Sequence, residues 1–145
     1  MEMTKDQTPL YSIGTVARML GVSVFTLRMY EREGLVLSHR SASAQRLYSE
    51  SDVERLRCIR KAINEMKFSI SAIKTIYSLI PCWDIVKCSE TDRANCAAYS
   101  GHSQPCWTFT HENNTCAHRQ CRECAVYTMS TDCGNIKASI QAARR

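Results

Sequence analysis

A cysteine pattern repeats within the second half of the chain, and it limits what that half can fold into more than any other feature. Pro81-Cys-Trp83 returns as Pro105-Cys-Trp107, and Cys96-Ala-Ala-Tyr99 returns as Cys124-Ala-Val-Tyr127. Cys88 stands eight residues before Cys96, and Cys116 stands eight before Cys124. Both halves therefore read Pro-Cys-Trp, a gap, then Cys-x7-Cys-Ala-x-Tyr. The second carries four extra residues after its Trp and one extra cysteine, Cys121. Such a duplication predicts two similar loops facing each other across a pseudo-two-fold axis, with paired cysteines meeting near it. The segment has little helical or strand periodicity. Its larger aromatic residues, Trp83, Tyr99, Trp107, Phe109 and Tyr127, are too few for a large apolar core. Metal–thiolate bonds are expected to supply what packing lacks.

The compartment decides how such cysteines are used. Met1 to Leu10 has no apolar core and no cleavage-like site, so no signal peptide is read there. No run of eighteen apolar residues is available to cross a membrane. A cytoplasmic location is therefore the expectation. In a reducing compartment, eight of nine cysteines packed between Cys82 and Cys133 point to metal ligation more than to disulfides. The candidate ligands are Cys82, Cys88, Cys96, Cys106, Cys116, Cys121 and Cys124, with Cys121-x-x-Cys124 the tightest pair. Two cofactors stay open. Zn2+ as a structural ion needs four of the seven thiolates. An iron–sulfur cluster suits all-thiolate ligation flanked by aromatic rings, and the excess of cysteine over histidine leans that way. His102, His111 and His118 could replace a thiolate, although single histidines in polar loops are usually solvated. Cys133 lies outside the repeat, as a free thiol or an accessory ligand.

The first half reads differently. Residues 1–80 carry 12 Lys and Arg against 8 Asp and Glu, whereas residues 81–145 carry 7 against 6. The basic excess lies where it can meet phosphates. Ile13, Val16, Ala17 and Leu20 share one face of a short helix that Gly21 ends. Ser23 is placed to cap a second helix through Thr26, Leu27 and Tyr30, closed by Gly34. Two short helices joined by Gly-Val-Ser predict a helix-turn-helix. Leu35-Val-Leu, a polar tip from Ser38 to Gln45, and Arg46-Leu-Tyr48 predict a two-stranded wing. A third helix is expected from Ser49 or Ser51, the latter with a capping-box spacing to Glu54. Its apolar face is Val53, Leu56, Ile59, Ile63 and Met66. A fourth helix from about Ser69 uses Ile70, Ile73, Ile76 and Ile80, and Pro81 stops it. Arg55, Arg57, Arg60 and Lys61 read first as a solvated face, and Cys58 as a small buried residue.

The run from Tyr11 to Ser23, then Thr26-Leu-Arg-Met-Tyr-Glu-Arg-Glu-Gly-Leu35, then Arg46-Leu-Tyr48, resembles the DNA-binding domain of the MerR family. Asp52-Val, Leu56, Ile59 and Ile70-Ser-Ala-Ile-Lys74 continue the likeness over about residues 10–80. The resemblance implies a homodimer on a near-palindromic operator in double-stranded DNA. Many such proteins act with RNA polymerase at the promoter by distorting the DNA; others, similar to the family's heat-shock repressors, block it. It also implies DNA-facing roles for Thr15, Ser23, Thr26, Arg28, Tyr30, Arg40, Arg46 and Tyr48. Arg28 has an alternative partner in Glu31, three residues along the same helix. Residues 81–127 resemble the twin Cys-Trp modules attached to sensory and regulatory proteins of anaerobic bacteria. The superoxide-responsive MerR proteins also carry a C-terminal cluster, but on cysteines packed within one short loop, a spacing absent here.

The fold class expected is mainly α: a winged helix-turn-helix followed by a small cysteine-rich, metal-stabilised irregular domain. The divisions are a tail at 1–9, the DNA-binding domain at 10–80, the cysteine module at 81–130 and a short helix or tail at 131–145. The long dimerising helix usual after a MerR domain has no place here. Only Ile136, Ile140 and Ala143 remain on one face, before Arg144-Arg145. The functional expectation is a redox- or metal-responsive transcription regulator, not an enzyme, since no Cys–His pair sits in a recognisable catalytic setting. The alternative is an architectural, excisionase-like DNA-binding protein with a purely structural zinc module.

Overall fold

The computed structural model describes residues 8–101, 104–118, 120–129 and 136–143. It divides into two compact units, Met1–Lys67 and Phe68–Arg145.

The first unit opens with strand β1 (Tyr11–Ser12) and helix α1 (Ile13–Leu20). Ser12 ends the strand and caps the helix, its hydroxyl accepting from the Thr15 N–H at 3.3 Å. Gly21 takes φ 67°, the left-handed value that terminates α1 with little steric cost and lets the Val22 N–H reach the Ala17 carbonyl at 3.0 Å. Ser23 then caps α2 (Val24–Arg32) through the Thr26 N–H at 3.0 Å. Gly34, at φ 78°, follows, and the Leu35 N–H returns to the Tyr30 carbonyl. The helix-turn-helix is thus built from three residues of turn and two caps, as the sequence predicts.

The wing is placed differently. Its strands are β2 (His39–Arg40) and β3 (Arg46–Tyr48), antiparallel with His39 opposite Leu47. Leu35 and Val36, expected in the first wing strand, are instead fully buried in the core. Apolar burial outcompetes strand pairing there, so pairing begins inside the stretch read as a polar tip. β1 pairs with the other side of β3, giving a three-stranded sheet in the order β1-β3-β2.

Helix α3 (Glu50–Asn64) starts from Ser49, not Ser51. The Asp52 N–H donates to the Ser49 hydroxyl at 3.2 Å, and the Ser49 N–H donates to the Asp52 carboxylate at 2.9 Å. A buried capping box on Asp52 replaces the expected one on Glu54. Val53, Leu56 and Ile59 are buried, as are Val16, Leu27 and Tyr30, while Met66 is exposed past the helix end. Arg55 is not part of a solvated face: it is buried, and its Nε–H donates to the Leu35 carbonyl at 2.7 Å. Cys58 is half-buried beside the core residue Ile59.

In the second unit α4 (Ile70–Ser78) starts where expected, with Ser69 as its cap. Its buried line is Ile73, Tyr77 and Ile80; Ile76 is exposed, because Tyr77 lies one turn beyond Ile73 and takes the inward place. The cysteine segment, expected to be irregular, is a chain of very short helices: α5 (Cys82–Ile85), α6 (Glu90–Ala94), α7 (Ala97–Ser100) and α8 (Ala125–Thr128). Single 3-10 turns at Cys106–Thr108, Thr115–His118 and Cys121–Glu123 link them. Elements of four or five residues are below the length at which hydrophobic periodicity can be seen. A Cβ at Gly101 would lie 2.9 Å from the tip of the Phe109 ring, so a larger residue there displaces that ring. Helix α9 (Ile136–Ala143) ends the described chain. Among the described residues, no helix is long and apolar enough to cross a membrane.

Candidate functional site

Two surfaces carry chemistry, one in each unit. On the first, Thr15 and Thr26 are engaged in the caps, with hydroxyl contacts to Ser12 at 3.0 Å and to Ser23 at 2.9 Å. Ser23 and Arg28 are exposed on α2. Glu31 does not pair with Arg28. Its carboxylate accepts from Arg46 Nε and from the Ser38 hydroxyl, and Arg40 lies 3.6 Å away. This ties α2 to both wing strands. Tyr30 and Tyr48, expected at the DNA face, lie in the core at 1% and 0% exposure. The Tyr30 hydroxyl accepts from Arg60 at 3.1 Å. The Tyr48 hydroxyl has no partner among the described residues, and burial pushes its pKa up to about 12. Sequence reasoning passed over Phe25, 72% exposed at the second position of α2. Its place off the apolar face was the available signal.

In the second unit all seven candidate cysteines line one cavity of about 30 Å³. The two copies of the repeat build it in the same way. Trp83 meets Tyr99 edge-on, with ring centroids 5.3 Å apart and planes at 87°. Trp107 meets Tyr127 at 5.0 Å and 88°. Cys96 and Cys124 each stand in extended backbone immediately before a four-residue helix that carries the Tyr. The two Pro-Cys-Trp cysteines meet: the Cys106 thiol donates to Cys82, which lowers the Cys82 pKa, while that bond and burial raise Cys106. Burial and neighbouring thiols raise Cys88 and Cys121, and push Cys116 up to about 12.

His111, of the three histidines considered, lines this cavity. Its Nε2 lies 3.0 Å from the Cys106 carbonyl oxygen, to which it can only donate. In the neutral ring that leaves the Nδ1 lone pair, 3.8 Å from the Cys96 sulfur, directed at the thiols. His102 and Cys133 lie outside the described residues, as do Arg144 and Arg145. The side chains of His118, Ile136 and Ala143 are likewise not described. Arg93 also lines the cavity, and sequence reasoning missed it. Aligning the two repeat copies position by position, rather than cysteine by cysteine, would have exposed it.

Among the described residues, no three His, Cys, Asp or Glu side chains are drawn close enough together to hold a metal ion. The donor set nevertheless fits one. Seven thiols and an imidazole, with no carboxylate in the lining among the described residues, suit a soft or borderline metal. The cavity has room for about two water-sized bodies, and a bound ion would be held by a subset of these sulfurs.

The first unit is a helix-turn-helix with a wing, and the second carries a thiol-lined cavity. Residues 11–79 match the family described as MerR HTH family regulatory protein, and this stretch is a MerR-family helix-turn-helix domain. The chain is similar to the putative heat shock protein HspR of Streptomyces coelicolor, 38% identical over 78 residues, covering 54% of this chain and 51% of that one. It is similar to the HTH-type transcriptional regulator ZntR of Escherichia coli, 37% identical over 71 residues, 48% of this chain and 50% of that one. Heavy metal-dependent transcription regulator 2 of Rhizobium meliloti is 36% identical over 69 residues, 47% and 46% of the two chains. The chain spans about half the length of the relatives it matches.

Proposed function

We propose that this protein is a DNA-binding transcription regulator whose second unit holds a cysteine-ligated metal centre and relays its state to the DNA-binding unit. The observation that carries this reading is the convergence of all seven repeat cysteines on one cavity in a chain with a MerR-type helix-turn-helix domain. The names of the relatives support regulation, and one of them supports a metal signal. Double-stranded DNA is the partner, bound as a homodimer at a near-palindromic operator, with RNA polymerase at the same promoter. Ser23, Thr26 and Arg28 present the recognition helix, and Arg40 and Arg46 the wing.

The metal is held by thiolates from Cys82, Cys88, Cys96, Cys106, Cys116, Cys121 and Cys124, with His111 as an available nitrogen donor. A cluster supplies one-electron chemistry when bound; zinc supplies cross-linking alone. The chain's own part is to bring these thiols to one cavity and to shield them with the two Trp–Tyr pairs. Iron, sulfide and zinc contents of protein purified without oxygen test this. Near-stoichiometric iron and sulfide support a cluster and redox sensing. Zinc alone supports a structural or metal-sensing module, and neither metal removes the centre from the proposal. Footprinting then distinguishes a regulator from an excisionase-like architectural protein: the first protects sites overlapping promoters, the second sites beside recombination sequences.

A further inference from the structure

Superposing the repeat copies residue by residue places Arg93 opposite Cys121: each stands five residues after the first cysteine of its Cys-x7-Cys and three before the second. The two residues differ in chemistry but both line the same cavity. Arg93 is carried by α6, whose start is held by a Ser89–Asp92 capping box. Its guanidinium carbon lies 5.9 Å from the centroid of the Tyr99 ring, and its Nε is buried with no hydrogen-bond partner among the described residues. No carboxylate lines the cavity among those residues. A buried guanidinium N–H without an acceptor is costly to leave in that state. Neutral thiols are poor acceptors, whereas metal-bound thiolates are negatively charged and accept well.

We infer that Arg93 is the counter-ion of a net-negative metal–thiolate centre, the first repeat copy supplying a cation where the second supplies the thiolate Cys121. This rests on the metal-binding reading above and adds the centre's sign of charge and the residue that balances it. Arg93 acts as a positioning residue: it donates to coordinated sulfur without joining the ligand set.

The test uses the full chain and Zn2+ alone, with affinity measured by chelator competition. Arg93→Gln is expected to lower Zn2+ affinity about 10–100-fold, the range typical of lost outer-shell partners, without changing the stoichiometry. Arg93→Lys, which keeps the positive charge, is expected to restore most of it. If glutamine disturbs the near-ultraviolet circular dichroism of the Trp–Tyr pairs, Arg93→Met takes its place, keeping an apolar stem against Tyr99 and removing only the charge. Equal affinity in the neutral and lysine variants and the unmodified chain overturns the inference while leaving the metal reading standing. An unmodified chain that takes up no Zn2+, and no iron when purified without oxygen, overturns both.

Discussion

Glu31 gathers Ser38, Arg40 and Arg46 around one carboxylate, and so changes which cations are left for the proposed DNA partner. Arg46 is already balanced, whereas Arg28 is exposed and forms no ion pair among the described residues. Arg28→Gln is therefore expected to weaken binding to all DNA sequences alike, with the slope of log affinity against log salt shallower by about 1. Arg46→Gln should change that slope less. Fluorescence anisotropy over a salt series checks both, and an unchanged slope for Arg28→Gln removes it from the phosphate contacts. Tyr48 gives a second test. Its buried hydroxyl lacks a partner among the described residues, so Tyr48→Phe is expected to leave DNA binding intact and to raise stability by about 1 kcal/mol. The pH dependence follows from the raised pKa. An unfolded tyrosine ionises near 10 while the folded Tyr48 stays protonated to about 12, so stability is full below pH 10 and falls between 10 and 12. Chemical denaturation across that window should show a gentler decline for the phenylalanine variant. The motif made Tyr30 and Tyr48 look DNA-facing because sequence spacing records which residues recur together, not which way a side chain turns.

At the scale of elements, helix ends were the most legible part of the chain, because a cap needs one small polar residue at one position. Ser23, Gly21, Gly34 and Ser69 all act as that rule requires. The start of α3 was ambiguous, since Ser49 and Ser51 both precede an acidic residue at capping-box distance. The structure selects Ser49, and the choice can be measured. Ser49→Ala is expected to cost about 1 kcal/mol, and Ser51→Ala less than about 0.5 kcal/mol, by denaturant titration. Equal losses would argue that α3 begins elsewhere. The wing was harder to read. Leu35 and Val36 have strand propensity, yet the core takes them, and the two-residue strands that do form leave almost no pattern. The short helices of the cysteine module were invisible for the same reason, while the cysteine spacing itself was plain. Spacing marked the seven candidate ligands; only the fold brings them to one cavity and adds His111 and Arg93.

Across the whole molecule, the division into two units has a practical signature. Both tryptophans of the chain belong to the second unit, so tryptophan emission reports on that unit alone. Removing metal with a chelator is expected to shift that emission to the red and to open residues 82–128 to limited proteolysis. Residues of the helix-turn-helix should stay protected. Cuts spread evenly over both units would mean that they fold as one. The matching Trp–Tyr pairs also bear on how such a module could arise. A polypeptide with a single copy of the motif would present half a cavity and three or four thiols, and could complete the shell only by pairing with another copy of itself. Joining two copies in tandem makes that encounter intramolecular, independent of protein concentration. It also frees each copy to change alone, which is how one position can hold a cysteine in one half and an arginine in the other.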